Sequence, residues 1–310
     1  MGGRTVAVFT GDLDVTADAV IMELHRRDVP VVRCDPATFP AEIMLGARFC
    51  SGWTGHLRTG SRTLNLSDVA CAWWRRPTPI TIPGDVPEAT WVRREAVAGL
   101  RGVLSALPWL NHPDDIRAAD HKPLQLAVAA AAGLRVPATL VTNVPAEARA
   151  FAEDCGPVVY KPFTAGILDS GHVIYASAVD PRTLDDSISV TAHLFQQQIP
   201  KAYELRVTAV DGHLFTARID ATTDKGRTDW RSDYHNLRYS TYDLPVDVAA
   251  KLRTVLRRLR LRFGAFDLIA TPGGEYVFLE VNPNGQWAWI EDETGLPIAS
   301  ALADALEKEK

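Results

Sequence analysis

The chain has 310 residues, 46% of them hydrophobic and 23% charged, with a formal net charge of −5. That length supports two or three layered units around a sizeable core. The acidic balance argues against broad nucleic-acid binding, which needs an excess of Lys and Arg along one face.

Residues 4–9 read as a strand, Thr16–Arg27 as an amphipathic helix and Val29–Arg33 as a second strand, one βαβ unit. Gly11-Asp12 after the first strand is not a dinucleotide fingerprint. Met1-Gly-Gly-Arg running straight into Thr5–Phe9 offers no secretory signal. Ala47–Trp53 and Arg62–Leu66 read as hairpin strands around Gly55 and Gly60. Cysteines 34, 50, 71 and 155 have no paired spacing, so neither a zinc site nor a disulfide framework is indicated, and buried free thiols are expected.

Cys71-Ala-Trp-Trp-Arg-Arg-Pro77 gathers two indoles and two guanidiniums before a proline. Core tryptophans with solvated arginines are the plainer reading; a stacking and carboxylate-binding surface is the sharper one. A helix is expected over 87–107, then a short strand at Trp109–Asn111. His112-Pro-Asp-Asp opens a helical stretch that resumes at Leu124 and stops at Gly133, with Lys122 between the pieces. Its apolar run, Leu124–Leu134, is interrupted by Gln125 and is far below a membrane span of about 20 residues, so a cytoplasmic protein is expected. Strand 138–142, helix 146–153 and strand Val158–Lys161 form a second alternating unit. Phe163–Gly171 is a small-residue loop whose backbone N–H groups could cover phosphates, a weak signal alone. A strand is expected next over Val173–Ala176.

From there the strands look antiparallel: 194–199, 204–210, a turn at Asp211-Gly212, and 214–219. Glu204 and Arg206 share one face. Residues 221–244 are polar and charged and are expected as a long loop, here a hypothesised lid, containing Asp229-Trp-Arg231. Val246–Leu261 is a helix with Val248, Leu252, Val255, Leu256 and Leu259 on its buried side, and its arginines face solvent.

Phe263–Asn282 reads as a β-hairpin about Thr271-Pro-Gly-Gly274. If Ala270 faces Glu275, then Phe266, Leu268, Ala270, Val277, Leu279 and Val281 form one apolar face. The other face carries Asp267, Ile269, Phe278, Glu280 and Asn282. Two carboxylates and an amide on one face suit a hard cation such as Mg²⁺; the alternative is that they point into water. Partial burial beside Ile269 and Phe278 favours a metal or cationic partner, because unpaired buried carboxylates are costly.

Lysines on an α/β unit, a small-residue loop, an arginine on a sheet and this hairpin together resemble the ATP-grasp superfamily from about Asn111 onward. Within it the segments Ala72-Trp-Trp-Arg-Arg-Pro, Glu204-Leu-Arg-Val, Asp229-Trp-Arg and Phe263 through Gln286 to Gly295 are similar to the ribosomal-peptide maturases called graspetide macrocyclases. The resemblance implies an α/β (α+β) ATP-grasp fold with an N-terminal α/β pre-grasp domain (residues 1–112), a central subdomain (113–197) and a C-terminal subdomain bearing the hairpin (198–310). It further implies that Lys122 and Lys161 contact nucleotide phosphates, that Gln198 and Ile199 lie beside adenine, and that Asp267, Glu280 and Asn282 hold two Mg²⁺ ions. Arg206 would reach the transferring phosphate, with Glu204 standing where the family often has Asp. Arg231 and Asp229 are carried over as catalytic candidates, and Trp74, Arg75 and Arg76 as peptide contacts. Asp229, Glu204 and His235 are equal candidates for a general base.

The activity implied is ATP-driven activation of Asp or Glu side chains in a precursor peptide, consisting of a leader and an acidic core, with closure of lactone or lactam rings by Ser, Thr or Lys. Two alternatives stand beside it: a carboxylate–amine ligase adding an amino acid to a peptide or protein, and an ATP-dependent binding protein without turnover. A homodimer is compatible with each; nucleic acid and membrane are not expected partners.

Overall fold

The computed structural model describes residues 5–308 apart from 61, 83, 165–173, 175, 222 and 224–236. The first strand, β1 (Thr5–Phe9), is buried along nearly its whole length, as an apolar central strand of a parallel sheet must be. Helix α1 (Val15–Arg26) starts where the Asp14 carboxylate accepts from the Thr16 and Ala17 N–H groups, both at 3.1 Å. It returns the chain to β2 (Val31–Cys34), parallel to β1.

The expected two-stranded hairpin is instead a three-stranded antiparallel meander: β3 (Ile43–Phe49), β4 (Trp53–Thr59) and β5 (Arg62–Asn65). The stretch read as one strand through Trp53 turns at Cys50–Gly52. Gly55 is a position inside β4 and not a break: at φ +144° it lies so close to β3 that a Cβ would fall 2.0 Å from the Gly46 carbonyl oxygen. β6 (Val69–Trp74) then completes the parallel sheet in the order β2-β1-β6, and α2 (Ala89–Leu104) covers one face of it through Leu100, Val103 and Leu104.

Asn111 ties this N-terminal unit to the C-terminal hairpin. Its side chain is buried; it donates to the Phe263 carbonyl at 2.8 Å and accepts from the Arg262 and Phe263 N–H groups at 2.8 and 3.1 Å. Two short helices come next, α3 (Pro113–Ala119) and α4 (Lys122–Ala131), with Gly133 at φ +82° after the second.

The second alternating unit consists of β7 (Thr139–Thr142), α5 (Pro145–Cys155) and β8 (Val158–Lys161). Its two strands do not touch. β10 (His193–Gln197) inserts between them, antiparallel to both, and β9 (Ser177–Val179) adds on the far side, giving the order β7-β10-β8-β9. The strand expected at 173–176 falls partly outside the described residues, and the observed one begins at Ser177.

The fourth sheet is antiparallel, β13-β12-β11-β14-β15, built from β11 (Tyr203–Val210), β12 (His213–Ala221), β13 (Leu237–Thr241), β14 (Phe263–Ala270) and β15 (Tyr276–Asn282). Part of the expected 221–244 loop is therefore the edge strand β13; Asp229, Arg231 and His235 lie outside the described residues. Helix α6 (Val246–Arg258) packs Val248, Leu252, Val255 and Leu256 onto this sheet, about 1.5–3 kcal/mol for each side chain fully buried.

Two further helices, α7 (Ala288–Thr294) and α8 (Ile298–Glu307), were not foreseen from the sequence. They return to the N-terminal sheet, where Leu302, Ala303 and Leu306 share a core with Val20, Leu24 and Trp73. Arg27 fastens α8 by donating to Asp304 at 2.6 Å and Glu307 at 2.9 Å. Among the described residues no helix is long and apolar enough to cross a membrane. None of the four cysteines is in a disulfide, but Cys50 is exposed, contrary to the expectation of buried thiols, because it lies in the β3–β4 turn.

Candidate active site

The hairpin β14–β15 pairs one residue out of the expected register at its turn. Thr271, not Ala270, faces Glu275: the Thr271 N–H donates to the Glu275 carbonyl at 2.9 Å, and Gly274 at φ +81° completes a three-residue loop. A bulge at Leu279 shifts the pairing by one residue more, so that Leu268 faces Phe278 on the turn side while Asp267 faces Glu280 on the other, and Asp267 and Glu280 share a face as expected. The expected faces are accordingly half right. Between the turn and the bulge, Phe278 joins Phe266 and Leu268 in the core, whereas Val277 and, at the bulge itself, Leu279 change sides and cluster with Ile269 and Ile199.

Asp267 and Glu280 sit directly opposite each other with cations against both. Arg206, adjacent on β11, donates to Asp267 at 2.8 Å, and both side chains are about 5% exposed. Lys122, the first residue of α4, donates to Glu280 at 2.5 Å. The second Arg206 nitrogen donates to the Gln286 carbonyl at 2.8 Å, which holds the guanidinium against the segment after β15. Asn282 accepts from the Asn284 N–H at 2.9 Å through its side-chain oxygen.

Gln125 sets the distance between α4 and β15. It is buried; its amide donates to the Ala119 and Val281 carbonyls at 2.6 and 2.8 Å, and its oxygen accepts from the Val281 N–H at 2.9 Å. The helix start that carries Lys122 is thereby fixed beside Glu280. In the sequence this residue is only an interruption of an apolar run; a lone polar side chain on the buried face of a helix was the available signal.

A 730 Å³ cavity opens beside these groups. Arg76, Lys122, Glu280 and Asn282 line it, and Phe163 and Thr164, just beyond Lys161 at the end of β8, form part of the same wall. Ile199 lies on the connection from β10 to β11, and the Gln198 N–H donates to the Pro157 carbonyl at 2.8 Å. Glu204 is turned to a different place: it pairs with Lys201 and lines a separate 400 Å³ pocket.

Of the three candidates for peptide contact, Arg75 is not at the surface. It is fully buried, 3.2 Å from Asp14, and donates to the Asn284 and Gly285 carbonyls at 2.9 and 3.2 Å and to Gln286 at 2.5 Å. Burial pushes its guanidinium down to about 10, against the opposing charge of Asp14. Arg75 is a tie between the N-terminal sheet and the segment after β15. Arg76, at φ +44°, is exposed and donates to the Asn284 carbonyl at 3.0 Å; Trp74 packs on Phe9 and Trp109. Among the described residues no group of three or more His, Cys, Asp or Glu could form a metal cluster. The oxygen set here is instead two carboxylates and one amide, which suits Mg²⁺ chemically.

A pre-grasp α/β unit leading into two antiparallel sheets, with lysine, arginine and paired carboxylates between them, defines an ATP-grasp ligase. The model of the MvdD pre-ATP grasp domain matches residues 6–119. Comparison with curated protein sequences gave no match. Among solved structures, the chain is similar to the macrocyclase MdnB from Microcystis aeruginosa MRC, with 31% identity, 98% of this chain and 99% of that chain covered, and a TM-score of 0.80. It is also similar to the macrocyclase MdnC from the same organism, solved with precursor peptide MdnA (29% identity, 97% and 98% covered, TM-score 0.86). A RiPP-associated ATP-grasp ligase from Chryseobacterium gregarium, solved with ADP and a leader and core peptide, gives a TM-score of 0.89 at 28% identity, with 98% and 96% covered. The chain belongs to the graspetide macrocyclases, the ATP-grasp family of ribosomal-peptide maturases.

Proposed function

We propose that this chain binds ATP with Mg²⁺ in the 730 Å³ cavity and phosphorylates Asp or Glu side chains of a precursor peptide made of a leader and an acidic core. A Ser or Thr hydroxyl, or a Lys amine, of the same peptide then attacks the acyl phosphate. A lactone or lactam forms, ADP and phosphate leave, and one water is lost from the peptide. The observation that carries this reading is the opposition of Asp267 and Glu280, each with a cation against it, with Glu280 and Lys122 lining the cavity.

Asp267, Glu280 and Asn282 would hold two Mg²⁺ ions, which when bound neutralise phosphate oxygens during transfer. Lys122 and Lys161 bring positive charge to the phosphates from α4 and β8. Arg206 is held by Asp267 and the Gln286 carbonyl and supplies a fixed charge for the transferring phosphoryl group. Gln198 and Ile199, on the connection from β10 to β11, would lie beside the adenine. Asp229 and Arg231 remain candidates at the carboxylate, and Trp74 and Arg76 at the peptide.

We divide the chain at 1–112, 113–197 and 198–310, with α7 and α8 leaving the last part to share the core of the first. The ADP of the Chryseobacterium structure and the precursor peptide of the MdnC structure support the choice of substrates. The reaction takes place in the cytoplasm, and the homodimer remains a proposal. The test is ATP turnover with an acidic Thr- and Lys-containing peptide encoded beside this protein, run with hydroxylamine. Peptide-dependent ADP release with hydroxamate on Asp or Glu is expected; ADP release without hydroxamate or ring would count against activation of the peptide carboxylate.

A further inference from the structure

A second cavity of 390 Å³ lies on the other side of Arg76. It shares Arg76, Arg117, Asp120 and Asn284 with the 730 Å³ cavity, so the two are neighbours with a common wall. Its remaining charged residues are Arg93 and Arg101 from α2. Four guanidiniums thus face one lining carboxylate in a protein whose formal net charge is −5. A local excess of that sign in a concave site raises the concentration of anions within it.

The arginines are not held by other carboxylates to the same degree. Arg117 pairs with Asp114 at 2.9 Å, and Arg76 donates to a backbone carbonyl. Among the described residues neither Arg93 nor Arg101 has an acidic partner, and Arg101 is stacked over the Trp74 ring at 5.7 Å from its centroid. Stacking on an indole fixes a guanidinium plane while leaving its edge donors to take a carboxylate. Pro77 and Pro79 in the rim restrict the backbone there.

We infer that this pocket is a subsite for an acidic side chain of the peptide that is not the one reacting. Arg93 and Arg101 take its carboxylate while a neighbouring residue of the peptide occupies the larger cavity. The inference rests on the function proposed above and adds to it a means of choosing which carboxylate reacts: the distance between the two cavities sets the spacing along the core. Carboxylate is favoured over phosphate because the pocket is divided from the nucleotide cavity and walled in part by apolar Ile80, Val97 and Leu100.

The experiment is calorimetric titration of the full chain with an acetylated hexaglutamate peptide, with hexaglutamine and inorganic phosphate as comparison ligands and ADP titrated in parallel. Variants Arg93→Gln/Arg101→Gln and, as a charge control on the outer face of α6, Arg257→Gln/Arg258→Gln are compared, with melting curves to confirm folding. Hexaglutamate should bind the natural chain and the control alike and bind the pocket variant at least tenfold more weakly. Hexaglutamine should not bind, phosphate should not compete, and the loss should not extend to ADP. Equal hexaglutamate affinity in the pocket variant, an equal loss in the control, displacement by phosphate, or no binding to the natural chain would overturn the subsite. Failure of ADP to bind the natural chain would instead overturn the proposed function, and the two failures are read separately.

Discussion

Lys122 Nζ lies 2.5 Å from Glu280 Oε2, joining the first residue of a helix to the end of a hairpin strand 158 positions later. The contact places a cation and a carboxylate on one cavity wall, each offsetting the charge of the other. Replacing Glu280 with Gln removes the carboxylate while keeping its size. ADP release should fall by roughly 100-fold or more, the scale expected when one fixed electrostatic group is lost from a transfer site. Melting should be little changed, because Glu280 is partly exposed and the core face of β15 is untouched. Turnover like that of the natural chain would remove the hairpin from the centre of the mechanism.

Gln125→Leu tests the link that positions Lys122. The substitution keeps approximate volume but strands the Val281 N–H and carbonyl and the Ala119 carbonyl in the interior. At about 1–3 kcal/mol for each buried group left unpaired, urea denaturation should show a loss of several kcal/mol. A loss below about 1 kcal/mol would mean that α4 is held by other contacts.

Gly285→Ala tests the approach of the segment after β15 to Arg206. A Cβ there would meet the Ala265 Cβ at 2.4 Å and the Arg206 Nη2 at 2.9 Å. The segment must move, and the bond from Arg206 to the Gln286 carbonyl moves with it. Activity should drop by more than tenfold and melting should fall; wild-type kinetics would show that Arg206 tolerates displacement.

Much of the fold and of the arrangement of the candidate site was legible in the residues themselves, and the failures have physical causes. Asp267, Glu280 and Asn282 were placed on one face by strand alternation alone. Val277, Phe278 and Leu279 are misplaced because the turn pairs Thr271 with Glu275, one residue from the expected register, and the bulge at Leu279 confines that shift to the turn side; a bulge leaves no mark in an apolar run. Arg75 was read as a surface residue because a buried arginine is rare without a partner; its partner, Asp14, is far away in sequence and looks like an ordinary helix cap. The contact of Lys122 with Glu280 is tertiary, and no local pattern reports it. β4 was missed because Gly55 reads as a break when it is in fact required by close packing of two strands.

Arg75→Met tests the buried ion pair. Asp14 would keep its charge in the interior with its cation gone, which costs about 3–5 kcal/mol. Chemical denaturation should show a loss of that order, and the double variant with Asp14→Asn should recover part of it. No recovery would mean that the hydrogen bonds of Arg75 to Asn284, Gly285 and Gln286 matter more than the ion pair.

Glu291 gives a pH dependence. Burial, with the nearby charges of Asp292 and Glu23, raises its carboxyl above the usual range, although the Ala299 N–H donates to it at 2.8 Å and acts the other way. The folded chain therefore holds a proton that the unfolded chain has released, so this group favours the fold below the ordinary Glu range and loses that contribution as pH rises through its folded value. Glu291→Gln should flatten the stability profile from pH 4.5 upward in urea titrations. An unchanged profile would assign the slope to other groups.

At the centre of the mechanism, ATP makes peptide carboxylates electrophilic so that rings can close. The most direct test is the mass of an acidic Thr- and Lys-containing peptide, encoded beside this protein, after co-expression with the natural chain and with Glu280→Gln. Loss of one water for each linkage is predicted with the natural chain, and an unmodified mass with the variant. A peptide that gains an amino-acid residue, or keeps its mass while ADP is released, would contradict ring closure through an activated carboxylate.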